Sequence, residues 1–227
     1  MSARRGPARG DWRPSTRRGS PRASQLERHL ILCEGSQTEP RYFEGLKRAL
    51  GSTNGSRLSV EVRGTGLHTL GLLMEAERRC REAVNPFAHA WLVYDKDDFP
   101  EDEFDRVAKR CAVRRGETVF HAIWSNPCFE LWFLLHFGYT SAPLQAAECQ
   151  ARLEKLFLKR LHMKYEKNLD GVFSLLAPWR EDAARHASRL EGHHGDAGGT
   201  RPAQMNPATR MVELHAAFEG YLTERMA

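Results

Sequence analysis

What constrains this chain most is an alternation of two hydrophobic periods. Residues 29–33 form a short apolar run, and residues 38–50 then place Tyr42, Phe43, Leu46 and Leu50 on one helical face. Residues 58–62 alternate apolar and polar, and residues 67–84 return to a helical pattern at Leu70, Leu73, Met74 and Glu77. A third run, residues 88–94, ends at Asp95 and is followed by a helix over residues 101–114. Residues 118–124 form the fourth run, and Asn126-Pro127 opens an apolar helix over residues 129–137. Short runs fit buried strands, and the 3.6-residue period fits covering helices. Strand then helix, repeated in this way, predicts an α/β domain with a four-stranded parallel sheet.

The second half predicts helices alone. Leu153, Leu156, Phe157 and Leu161 share a face, Val172, Leu175 and Leu176 precede Pro178, and residues 179–190 have a weaker helical pattern. Residues 191–202 read as a Gly-rich loop, and Asn206-Pro207 as the start of a last helix with Met211, Leu214 and Phe218 inward. The expected organisation is a basic tail over 1–28, a sheet domain over 29–140, and a helical extension over 141–227 packed on that sheet.

Charge separates the tail from the body. The formal net charge is +5, yet residues 1–28 hold eight arginines against Asp11 and Glu27, which is +6 and leaves −1 elsewhere. With little to bury, the tail is expected to be disordered and to attract polyanions through phosphate contacts. No apolar run approaches the length of a transmembrane helix, so no membrane partner is expected. The five cysteines form no C-x-x-C pair, which argues against zinc and disulfide frameworks and fits a reduced, cytoplasmic chain. An organelle transit peptide shares the tail's Arg- and Ser-rich composition.

Three acids carry the chemistry. Glu34 follows the first strand, and Asp95 and Asp97 follow the third. Ligands in open α/β sheets bind beyond the carboxyl ends of the strands. A common strand order makes the first and third strands neighbours, so Glu34 would face Asp95. An extended Asp95-Lys96-Asp97 would point both aspartates one way and Lys96 the other. Converging carboxylates repel unless a cation joins them, and Mg²⁺ or Mn²⁺ suits such oxygen donors. The plainer reading, acids that cap the next helix or face solvent, is weakened by three of them falling at two strand ends.

The surrounding residues add a resemblance. Leu32-Cys33-Glu34-Gly35 with Asp95-x-Asp97 resembles the Toprim pattern of topoisomerases, bacterial primases and OLD-type nucleases. The stretches 33–43, 95–99 and 125–132, with His136-Phe137 and Asn206-Pro207-x-Thr209, resemble the RloB-like family over residues 29–225. That resemblance implies a Toprim-like (Rossmann-like) fold, with Glu34 as general acid or base and Asp95 and Asp97 holding Mg²⁺. It implies a nuclease acting on DNA or RNA. It also implies a setting in prokaryotic restriction or abortive-infection defence, beside an ABC- or AAA-type ATPase. No domain carries a topoisomerase tyrosine, so strand passage is not expected.

Secondary candidates follow. Asp98 is a second-metal candidate or a helix-capping acid. Glu130, an acid among Phe129, Leu131 and Trp132, either reaches the site or caps its own helix through Ser125 or Asn126. Lys96 and Lys167 are candidate substrate contacts; Tyr165 and Lys167 otherwise read as a solvated helix face. His136 reads as a satisfied core histidine, and Asn126-Pro127 as structural. His193-His194 lie in the expected loop, with no ligand partner at suitable spacing. Two other classes compete. One is a non-catalytic metal- and nucleic-acid-binding regulator of an ATPase. The other is a haloacid-dehalogenase-type phosphatase, disfavoured because its Asp-x-Asp should follow the first strand and position 99 is Phe99.

Overall fold

The structure is a computed structural model that describes residues 26–51, 57–97, 99–112, 116–198 and 201–223. The tail, expected over residues 1–28, lies outside the described residues up to residue 25. The first strand, β1 (Glu27–Cys33), already includes Glu27 and Arg28. There follow α1 (Thr38–Gly51), β2 (Leu58–Gly64), α2 (Thr69–Glu82), β3 (His89–Asp95), α3 (Glu101–Cys111), β4 (Val119–Asn126) and α4 (Glu130–Phe137). Then come α5 (Ala146–Leu161), α6 (Val172–Leu176), α7 (Arg180–Asp196), β5 (Ala208–Thr209) and α8 (Met211–Thr223).

The sheet runs β2-β1-β3-β4-β5. Its first four strands are parallel, and β1 and β3 are neighbours, with Cys33 opposite Val93. The sheet has five strands, not four. Ala208 and Thr209, expected to lead into the last helix, instead pair antiparallel with Asn126 and Ser125. The Ser125 and Thr209 hydroxyls bond at 2.9 Å, and Asn206 clasps both backbone groups of Leu144. This short strand closes an edge that β4 would otherwise present unpaired. The last helix therefore begins only at Met211.

The middle strands are apolar at their centres, over residues 30–33 in β1 and 90–94 in β3, because both faces are covered there. Ile31, Cys33, Trp91, Val93 and Ile123 face one core, with Tyr42, Phe43 and Leu46 of α1 and residues of α4, α5, α7 and α8. Leu30, Leu32, Ala90, Leu92 and Tyr94 face the other, with Leu72, Leu73 and Ala76 of α2 and Phe104 and Val107 of α3. The buried face of α2 is thus rotated from the expected one, and Met74 is exposed. Helix α4 is apolar on every side and is buried among the sheet, α5 and α7.

Helix α7 runs to Asp196, through the stretch expected to be a Gly-rich loop. Gly192 and Gly195 each cost about 1 kcal/mol in a helix. Packing offsets that cost: Ala183, Ala187 and Leu190 are buried, and His194 bonds the Pro207 carbonyl at 3.0 Å. Among the described residues no helix is long and apolar enough to cross a membrane.

Candidate active site

The carboxyl ends of β1 and β3 open onto a cleft of ≈ 370 Å³. Glu34, Glu39, Asp95, Asp97, Glu130 and Lys167 line it, with the turn at residues 35–38. The backbone brings the acids together first. The Glu34 N–H continues the β1–β3 ladder to the Val93 carbonyl at 2.9 Å, and its Oε2 accepts the Asp95 N–H at 3.4 Å. Burial, then the charges of Asp97 and Glu39, raises the Glu34 carboxyl to about 7, against the pull of the Asp95 N–H.

Asp95 carries an orphaned oxygen. Its Oδ1 is shut off from solvent and has no hydrogen-bond partner. Burial holds its pKa well above the carboxylate range, and the charges of Glu39, Glu130 and Asp97 add to this. A buried oxygen without a donor is costly, and a cation is one way to satisfy it.

Asp97 reaches the cleft by a different route from the one expected. The chain does not stay extended after Asp95. Lys96 N–H bonds the Ser125 carbonyl and Asp97 N–H the Pro127 carbonyl, which pins the loop to the end of β4. Asp97 takes a left-handed conformation at φ 32°, which aspartate tolerates better than most residues. The turn aims Lys96 at its own loop: Nζ bonds the Phe99 carbonyl at 2.6 Å and does not line the cleft. Asp98 lies outside the described residues.

Glu130 opens α4 and is buried. It makes no capping bond to Ser125 or Asn126; the Tyr165 hydroxyl lies 3.4 Å from its Oε1 and Lys167 Nζ 3.9 Å from the same oxygen. Tyr165 is therefore buried, not solvated, and burial with the Glu130 charge pushes its phenol far up. The Thr38 hydroxyl donates to the Lys167 carbonyl at 3.0 Å and fixes the Lys167 loop. Arg41 pairs with Asp170 just beyond it.

Sequence reasoning missed Glu39. It reads as an ordinary first-turn acid of α1, yet it is buried and accepts the Gly35 N–H at 3.2 Å. Burial and the Glu130 charge raise its pKa, while Lys167 lowers it. Gly35 allows this contact, since a Cβ there would sit 2.3 Å from Glu39 Oε2. Gly35 beside an acid four residues on was the available signal.

The remaining candidates are structural. His136 Nδ1 bonds the Trp132 carbonyl at 2.9 Å, and burial lowers its pKa to about 3. Asn126 Nδ2 donates to the Ala203 carbonyl at 3.0 Å. His193 and His194 lie on α7, and their rings meet edge to face at 5.4 Å. Among the described residues, the sets whose ligand atoms all lie within 4.8 Å of one another are Glu27–His29–His89 and Glu181–His215–Glu219. The sheet-edge carboxylates are spread more openly, as like charges would be.

The oxygen-only donor set and the orphaned Asp95 Oδ1 fit a hard divalent cation better than a soft one. Fold and cleft define an α/β protein with an acidic site at the carboxyl ends of its central strands. More narrowly, the chain belongs to the RloB-like protein family, whose pattern matches residues 29–216. No curated protein and no solved structure matches it.

Proposed function

We propose that this protein is a Toprim-like, Mg²⁺- or Mn²⁺-dependent nuclease that hydrolyses phosphodiesters of DNA or RNA. The observation that carries the reading is the buried Asp95 Oδ1, without a hydrogen-bond partner, on a residue that lines the same cleft as Glu34 and Asp97. Asp95 and Asp97 would hold the cation, with Glu34 as a third oxygen donor. A bound divalent ion supplies Lewis acidity toward a phosphoryl oxygen.

The chain's own groups do the rest. A carboxyl that titrates near neutrality, as Glu34 does, can take a proton from water or return one to a leaving oxygen. Ser36, Gln37 and Thr38 bring the amino end of the 14-residue α1 to the cleft, where the helix dipole favours a phosphate. Lys167 adds a flexible cation on the facing wall. Glu130 and Tyr165 hold Lys167 within reach of a bound strand.

Family membership and the basic tail support a wider setting: a cytoplasmic effector of prokaryotic phage defence, working with an ABC- or AAA-type ATPase. The test is nuclease activity with Mg²⁺ or Mn²⁺, with and without that partner, on wild type, Glu34→Gln and Asp95→Asn. The expected outcome is a loss of at least a hundredfold in each folded variant. Retained activity in either variant refutes the mechanism. Metal and nucleic-acid binding without turnover in wild type with its partner would make the protein a regulatory module.

A further inference from the structure

Two clusters lie outside the residues that line the cleft, and their chemistry differs. Glu27, His29 and His89 sit at the amino end of the sheet with ligand spacing. Hydrogen bonding accounts for that cluster. Trp91 Nε1–H donates to His29 Nδ1 at 3.0 Å, so a neutral His29 carries its proton on Nε2, 3.1 Å from Glu27 Oε1. A metal on Nε2 would force Nδ1–H against the indole N–H.

The second cluster lacks such an explanation. His215 and Glu219 are one turn apart on α8, and Glu181 lies in the first turn of α7. The His215 side chain is only 8% exposed, yet its Nε2 has no hydrogen-bond partner. Glu219 Oε2 lies 3.0 Å from that nitrogen, and Glu181 Oε1 lies 3.9 Å from it. Metal–ligand bonds of about 2.0–2.2 Å place adjacent donor atoms about 3.0–3.5 Å apart. One pair already has that spacing. Glu181, with a side chain 73% exposed, leaves a path from solvent and can close the other by a small rotation.

We propose that Glu181, His215 and Glu219 bind a divalent transition metal ion of the Zn²⁺ class, which clips α7 to α8. One imidazole nitrogen with two carboxylate oxygens suits a borderline ion better than Mg²⁺. Burial disfavours the imidazolium of His215, the form that cannot bind a metal. Burial first, then the charge and hydrogen bond of Glu181, raises the Glu219 carboxyl, a repulsion that a cation would relieve. Arg180 and His136 also face the cluster. The Arg180 guanidinium stacks on the Phe173 ring at 4.7 Å and tempers the two carboxylates without cancelling them.

The test uses the full chain in an Asp95→Asn/Asp97→Asn background, so that no signal comes from the sheet edge. Zn²⁺ is titrated by calorimetry after chelator treatment, and the Co²⁺ absorption spectrum is recorded on the same samples. The expected result is one Zn²⁺ bound per chain, weakened at least tenfold by His215→Gln and by Glu181→Gln. The visible Co²⁺ bands should change with each. No binding by the parent, or unchanged affinity in either folded variant, overturns the proposal. Should circular dichroism show that His215→Gln does not fold, the exposed Glu181→Gln decides.

Discussion

Replacing Glu34 with glutamine should make the metal-free protein more stable. The carboxyl is raised from 4.5 to about 7 by burial and by neighbouring acids. Its folded form therefore binds a proton more tightly than its unfolded form. No cost arises below the unfolded value, where both states are protonated. The cost grows as pH rises from 4.5 to about 7 and is constant above that. At about 1.4 kcal/mol per tenfold in proton affinity, the full cost is about 3 kcal/mol. Glu34 is partly exposed, and water screens part of this, so ~1–2 kcal/mol is the expected gain. Glutamine keeps an oxygen for the Asp95 N–H and carries no charge. Urea unfolding of both proteins, with chelator, at about pH 8 and about pH 5 measures the difference. The gain at the lower pH should be about a quarter of that at the higher. Millimolar Mg²⁺ should then narrow the difference, because the wild type, with a third charged oxygen donor, binds it more tightly than the variant does. A variant no more stable than wild type at pH 8, or equally stabilised at both pH values, refutes the reasoning.

Other predictions rest on single contacts. Asp105, 2% exposed, accepts Arg201 Nε at 2.8 Å and the Ala203 N–H at 2.9 Å, so Asp105→Ala should cost ~2–4 kcal/mol in urea unfolding. Gly35→Ala must displace the Glu39 carboxylate, so it should lower nuclease activity at least tenfold; the cost in stability should shrink when Glu39→Ala is combined with it. Lys167→Ala should raise KM with kcat little changed, and flatten the salt dependence of binding in a filter assay.

Much of this architecture was legible because burial is written in the residues themselves. The apolar runs at 29–33 and 88–94 could only be strands covered on both faces, and strand order then set Glu34 against Asp95. Tertiary effects hid the rest. Ala208-Thr209 is too short for any period, and only the open edge of β4 makes it a strand. Gly192 and Gly195 argued for a loop, but buried Ala187 and Leu190 hold them in α7. Asp97 turns because its N–H finds the Pro127 carbonyl, a partner thirty residues on that no local pattern announces. Glu39 and Tyr165 looked like surface residues, yet both are buried where the chain between α5 and α6 meets the start of α1.

The placement of β1 between β2 and β3 has a consequence for synthesis. The strand leaves the ribosome first, yet both of its neighbours are made later. Glu34 meets Asp95 only after 61 further residues have been translated, and Lys167 follows later still. A nascent chain of intermediate length therefore carries an apolar strand with two bare edges and an unfinished acid cluster. A chain released before residue 208 holds every described acid of the cleft and leaves β4 open to any passing strand. Translation through Thr209, not the making of the acids, is the step that pairs the carboxyl end of β4 beside the cleft.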